Sequence, residues 1–164
     1  MRFFAGGTVP RNVRHPADRL AALPDGEFAA FAERLGGIWP AFEATVAPVT
    51  PDGTVELSLV RERSDAPPER AVVALRRTPV TEADVEEFAT LAAERGLSFA
   101  VLATVDEVEP DAVDRARSAP VDVYDGVGLV ALARDADVAL PSAAAGEDGE
   151  DGDGEDGDGD DRNR

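Results

Sequence analysis

Thr54-Val-Glu-Leu-Ser-Leu-Val-Arg61, then the loop Ser64-Asp-Ala-Pro-Pro-Glu-Arg70, then Ala71-Val-Val-Ala-Leu-Arg76, is the stretch that decides the fold. Its first part alternates, with Val55, Leu57 and Leu59 on one face and Glu56, Ser58 and Val60 on the other, which is the period of a strand. The last part is almost continuously apolar, as a strand buried in a sheet would be. Strands joined by so short a loop are expected to pair antiparallel. Pairing as a hairpin would bring Glu56, Ala74 and Arg76 to one side of the sheet.

Working outward, a helix is expected from about Asp25 to Leu35, with Asp25 as N-cap, an inner stripe of Phe28, Phe31 and Leu35, and Gly36-Gly37 as its stop. Phe42 to Val49 forms the next segment, ended by Pro48 and the turn Pro51-Asp52-Gly53. Beyond the hairpin, Thr81 and Asp84 have the spacing of a capping box, Val85, Phe88 and Ala92 form an inner helical face, and Gly96 closes the helix. Ser98 to Thr104 is a strand covered on both faces, Pro110 opens a short helix through Val113 and Ala116, Val121 to Tyr124 is a strand, and Leu129 to Arg134 a closing helix. Strands joined through helices cross over and lie parallel, so the sheet is expected to be mixed, antiparallel at its start and parallel at its end.

The domain is expected over residues 20–140, after an irregular lead-in at 1–19 and before an acidic tail at 141–164. The full chain has 164 residues and a formal net charge of -18, from 34 acidic and 16 basic side chains, every basic one an arginine. The Gly/Asp/Glu tract from Gly146 to Arg164 holds 10 of the acids and has nothing apolar to bury, which gives a solvated tail. A calcium loop starting at Asp151 would need a glutamate where Arg162 stands, so the spacing excludes an EF-hand. The acidic, lysine-free body points to a halophilic protein adapted to molar intracellular salt, where the Debye length falls to about 3 Å, the alternative being an acidic protein at ordinary salt, for which nucleic acid is not an expected partner.

Without cysteine there is neither a disulfide framework, nor a cysteine-ligated zinc site, nor a thiol nucleophile. The longest apolar runs, such as Phe99 to Ala103, fall far short of the roughly 18 residues of a spanning helix, so no membrane partner is expected. The N-terminal Met1-Arg-Phe-Phe-Ala-Gly-Gly7 lacks the apolar core of a secretory signal, which makes the expected compartment cytoplasmic. His15, the single histidine, stands in a Pro-bounded segment and reads as a surface residue, which leaves no Ser-His-Asp triad. Gly126-Val-Gly128 is half of a dinucleotide fingerprint and reads better as a helix-start turn.

From Leu23 to Arg134, about two thirds of the chain, the sequence resembles the catalytic domain of Mrr-type restriction endonucleases, a branch of the PD-(D/E)xK nuclease superfamily. The resemblance runs through Pro24-Asp-Gly-Glu-Phe28, Pro51-Asp-Gly-Thr-Val-Glu56, Val72-Val-Ala-Leu-Arg76-Arg77, Thr81 to Phe88, Ala100-Val-Leu-Ala-Thr104, Asp111-Ala-Val-Asp-Arg-Ala116 and Val121-Asp-Val-Tyr-Asp-Gly126. It implies an α/β, restriction endonuclease-like three-layer fold whose mixed central sheet is flanked by helices. It also implies where a metal site belongs: an acid on the first hairpin strand, then a Gln or Glu and a Lys two residues apart on the second. Glu56 stands for the acid and is the one candidate metal ligand, Ala74 for the Gln or Glu, and Arg76 for the Lys, with Ala29 at a position that often carries a further acid in the first helix.

Three functions follow as expectations. The first is a restriction endonuclease-like domain without catalysis, a pseudo-enzyme that associates with DNA or with a protein partner and takes no cofactor. The second is a Mg²⁺-dependent DNA endonuclease using Glu56 and Arg76, in which Glu27 or Glu33 of the first helix rebuilds the metal site. The third is a scaffold that never meets DNA. DNA specificity, partner identity and oligomeric state are not written in the sequence.

Overall fold

The computed structural model describes residues 15–142, so the lead-in before His15 and the acidic tail from residue 143 lie outside them. Pro16–Ala21 (α1), Asp25–Leu35 (α2) and a 3-10 turn at Gly36–Ile38 precede the strands Glu43–Val46 (β1), Val55–Arg61 (β2) and Glu69–Arg76 (β3). Glu82–Glu94 (α3), Phe99–Thr104 (β4), Pro110–Ala116 (α4), Asp122–Tyr124 (β5) and Gly126–Asp135 (α5) complete the order. The five strands form one sheet in the order β1-β2-β3-β4-β5, antiparallel through β3 and parallel from β3 to β5. The mixed sheet follows from its connections: β2 and β3 share a short hairpin, whereas α3 and α4 carry the chain back to start β4 and β5.

Alternation along the strands distributes the core between two layers. Phe28, Phe31 and Leu35 of α2, Leu20 of α1 and Leu129 of α5 bury against Val55, Leu75 and Ala103 on one face. Val85, Phe88 and Ala92 of α3 and Ala112 and Ala116 of α4 bury against Val72, Ala74, Ala100 and Leu102 on the other. The rest of the first face, with Leu57, Leu59, Val73 and Val101, is covered by Trp39, Phe42, Phe99 and Tyr124. Trp39 stacks on Phe99 with centroids 5.8 Å apart, and Phe42 meets Phe99 edge-on at 5.5 Å.

Several boundaries differ from the sequence expectation. The stretch expected to be irregular up to residue 19 becomes helical at Pro16, because His15 caps it: the ring Nδ1 accepts from the Ala17 amide at 3.2 Å, and the Asp18 carboxylate accepts from the His15 amide at 3.2 Å. Histidine seldom serves as this cap, so the usual residue preferences hide the start. Asp25 is the first residue of α2 and not its cap, which falls to Pro24, and its carboxylate turns instead to Arg77. The closing helix begins at Gly126, three residues before the expected Leu129, since Asp125 accepts from the Gly128 amide at 2.7 Å. β1 is shorter than Phe42 to Val49, and the capping box of Thr81 and Asp84 forms as the spacing implies.

Gly126 shows how tightly the closing helix seats. A Cβ built there would lie 2.5 Å from the Val105 carbonyl oxygen and 2.9 Å from Ala17 Cβ, two contacts that neither backbone nor α1 can yield cheaply. Gly126→Ala is expected to cost about 1–3 kcal/mol of stability, seen as a lower urea midpoint at unchanged slope. Gly26→Ala, in a helix with nothing within 4 Å of its Cβ, is the contrasting case and should be neutral or stabilising; equal losses at both glycines would contradict the packing account.

Candidate functional site

The β2–β3 register places Glu56 directly opposite Ala74, with Arg76 two residues further along the same face. The three residues singled out from the sequence therefore share the face covered by α3 and α4, and what surrounds them decides what they can do. Glu56 is paired with Arg95, the residue that caps α3, at 3.3 Å between Nη1 and Oε1. Ala74 is buried in the apolar cluster that includes Val80, Val85, Phe88 and Leu102, so the position where the resemblance implies a ligand-bearing side chain lies within the layer formed with α3 and α4. Arg76 reaches past it to Asp84, with Nη1 2.6 Å from Oδ1.

Asp84 sits in the first turn of α3 and is held by several groups at once. Burial works against its charge, but the Arg76 guanidinium and hydrogen bonds from the Thr81 amide and hydroxyl, at 2.8 and 2.9 Å, outweigh it and keep the carboxyl below its ordinary value. Asp52, in the turn before β2, is lowered as well, chiefly by the Thr50 hydroxyl that donates to it, then by Thr54, with a smaller contribution from Arg76. Next to Arg76 in the β3–β4 register lies Thr104, whose buried hydroxyl donates to the Thr78 carbonyl at 2.7 Å and accepts from the Asp106 amide at 3.0 Å.

Arg77 leaves the strand on the other face, and the sequence did not single it out. Its guanidinium donates to Asp25 at 2.8 Å and to the Leu23 carbonyl at 2.7 Å, and lies 4.3 Å from the Phe28 ring centroid. Its stem runs against Gly53, which has φ of +79°. The signal was available in the pattern: of two consecutive arginines where an extended strand ends, the second is expected on the opposite layer from the first.

The helix acids do not join the group. α2 packs on the Val55 and Leu75 face, Ala29 lies against that same cluster, and Glu27 and Glu33 are exposed on the same helix, across the sheet from Glu56. Among the described residues no three His, Cys, Asp or Glu side chains are grouped to hold a metal. The divalent ion implied by the resemblance does not fit this donor set: Glu56 faces Ala74 and Arg95, and a Mg²⁺ ion held through one or two carboxylates and phosphate oxygens gains no second ligand from Ala74.

A restriction endonuclease family model, that of the Mrr catalytic domain, matches residues 27–133. Among solved structures, the DNA modification-dependent restriction endonuclease AspBHI is similar at 21% identity and a TM-score of 0.49, covering 75% of this chain and 34% of its own. The chain thus spans about a third of that relative's length. EndoMS in its apo form is similar at 14% identity and a TM-score of 0.44, covering 63% of this chain and 46% of its own. The MspJI restriction endonuclease in complex with a 27-mer oligonucleotide follows at 17% identity and a TM-score of 0.43, covering 72% of this chain and 30% of its own. No curated protein matches the chain.

Two measurements check the geometry. Because the folded pKa of Asp84 lies below the ordinary 3.8, the stability it contributes is fully present above that value and is lost as pH falls through the lower folded value. Asp84→Asn should therefore flatten the acid limb of a stability-against-pH curve, and Thr81→Ala should cost about 1 kcal/mol by removing the cap; an unchanged acid limb would refute the pairing. Ala74→Glu should destabilise by about 2 kcal/mol or more, since α3 leaves the new carboxylate buried and unpaired. A melt that Mn²⁺ raises in this variant, and not in the parent, would show instead that the position has room for a metal.

Proposed function

The chain belongs to the Mrr-type restriction endonuclease family, and from that premise we propose that it is a member that associates with DNA without cutting it. Burial of Ala74 under α3, directly opposite Glu56, carries the reading. A hydrolytic nuclease needs a cation at the scissile phosphate and a group that orients the attacking water. Here the hairpin offers one carboxylate already facing Arg95, and the cation in the lysine position is engaged by Asp84. Arginine also presents a planar fork of donors where lysine presents a flexible ammonium, so the two are not interchangeable at that position.

The test is plasmid nicking by the full chain with Mg²⁺ or Mn²⁺, at molar and at ordinary KCl, beside retention of the same plasmid on immobilised protein. Supercoiled DNA should stay intact and be retained, and the melting temperature should rise with salt as self-repulsion among the carboxylates is screened. Nicking abolished by Glu56→Ala would establish the Mg²⁺-dependent endonuclease in its place.

One observation favours a second reading, a protein-interaction scaffold that does not touch DNA. Residues 15–142 carry 24 acids and 11 arginines, and seven of those arginines are in internal ion pairs. A body so charged repels a phosphate backbone unless salt screens it or cationic groups elsewhere offset it. Absence of retention at every salt concentration would favour the scaffold.

A further inference from the structure

Two charged residues of α2 are answered by nothing in the described chain. Glu27 in its first turn and Arg34 in its last are exposed. Neither is in an ion pair among the described residues, where seven of the 11 arginines are. They stand two helical turns apart, so both project from one side of α2 with their Cα atoms about 10 Å from one another. Ala30 lies between them, and all three line an open groove of about 310 Å³ together with Leu23, Leu140 and Pro141. The floor of this groove is therefore apolar, and the α2 wall carries a negative charge toward one end and a positive charge toward the other.

The second wall is fixed by several contacts. The chain leaves α5 through Asp137, which takes the left-handed backbone at φ of +55°, and the Val138 amide returns to the Ala133 carbonyl at 2.8 Å. Val138 is buried in the cluster that holds Phe28 and Leu35, Leu140 packs on the same cluster, and Arg19 of α1 donates to the Pro141 carbonyl at 3.0 Å. Residues 139–141 are thereby held alongside α2. The groove opens on the α2 side of the molecule, across the sheet from Glu56, Ala74 and Arg76, so an occupant leaves that face uncovered.

The charge pattern selects the occupant, because it is self-complementary. A two-fold axis beside Ala30 lays α2 antiparallel on α2 of a second copy and sets Glu27 of each copy against Arg34 of the other, two ion pairs from one placement. Ala30 at the crossing is small enough for the helices to approach to about 8–10 Å. Antiparallel helices also bring the positive end of each beside the negative end of the other. A parallel placement would set like charges against each other, and a purely anionic partner would meet Glu27. We infer that the outer face of α2, with residues 139–141, is a self-association surface on which a second copy of this chain docks with α2 antiparallel to α2 and two reciprocal Glu27–Arg34 ion pairs. The inference goes beyond the reading of DNA association and does not depend on it.

The experiment is sedimentation equilibrium of the full chain from micromolar to submillimolar concentration in about 0.5 M KCl, where repulsion between two copies is screened, with circular dichroism to check that each variant keeps the parent's fold. The parent should show a monomer–dimer equilibrium. Glu27→Arg and Arg34→Glu alter exposed side chains and should each weaken the dimer about tenfold or more, since each turns two attractions into two repulsions. The double variant, Glu27→Arg with Arg34→Glu, restores both pairs at unchanged net charge and should return to within about threefold of the parent. Glu87→Arg, on the exposed side of α3, changes the net charge as Glu27→Arg does and should leave the dimer no weaker than the parent's. A parent that stays monomeric throughout would overturn the inference and leave the groove to another segment of the chain or to a different partner. A dimer that either single reversal leaves unchanged would overturn it as well, because the contact would lie elsewhere, and so would a double variant no tighter than the single ones.

Discussion

β3 ends at Arg76 and Arg77 follows it directly, and the rest of the described structure depends on how these two arginines are disposed. A strand sends consecutive side chains to opposite faces, so Arg76 enters the α3 layer and Arg77 the α2 layer. Each meets an aspartate in the first turn of the helix on its own side, Asp84 and Asp25, where a carboxylate also complements the positive end of the helix. One strand end thus fixes the start of both flanking helices relative to the sheet. The arrangement has a cost, since the Nε atoms of both arginines are buried without a hydrogen-bond partner. Gly53 belongs to the same construction, because its positive φ lets the turn before β2 fold against the Arg77 stem.

This clamp bears directly on chemistry. Arg76 is engaged by Asp84 of α3, and Ala74 is buried in the same apolar cluster as the inner face of that helix. A glutamate or glutamine at 74 would need a counter-ion or hydrogen-bond partners under the helix, and alanine needs neither. With a small apolar side chain there, Val85 and Phe88 can close on the sheet and the layer is continuous. An alanine at 74 therefore helps to keep that apolar layer continuous.

Much of the architecture was legible because local signals and long-range packing agree. Alternation in β2, apolar continuity in β3 and β4, and the Thr81 capping box each fix an element that the sheet then uses as written. The misses lie where side chains take unusual roles: a histidine cap at α1, a proline cap at α2, and an Asp125 cap that starts α5 at a glycine. In the candidate site, period-2 reasoning brought Glu56, Ala74 and Arg76 to one face. Glu27 and Glu33 could not be assigned to a face in the same way, because which side of the sheet receives α2 depends on tertiary packing that no spacing encodes. The partners Arg95 and Asp84 were invisible for the same reason, since they come from the C-terminal cap and the first turn of α3, remote in sequence from Glu56 or set by how that helix docks on the face.

The two ion pairs on that face are not equivalent. Arg76 and Asp84 are about four-fifths buried, with side chains 19% and 22% exposed, and Asp84 is tied to the Thr81 cap as well, so the pair acts within a network of fixed geometry. Arg95 and Glu56 are 51% and 36% exposed, a pair of the kind worth about 0–1 kcal/mol that high salt weakens further. In concentrated salt the first pair keeps its structural work and the second becomes nearly free. Glu56 is then the more loosely held charge of the face and Arg76 the more firmly held one. The clamp that holds the layers consists of Arg76 with Asp84 and Arg77 with Asp25, and Glu56 takes no part in it, so the fold places no demand of its own on the carboxylate at 56.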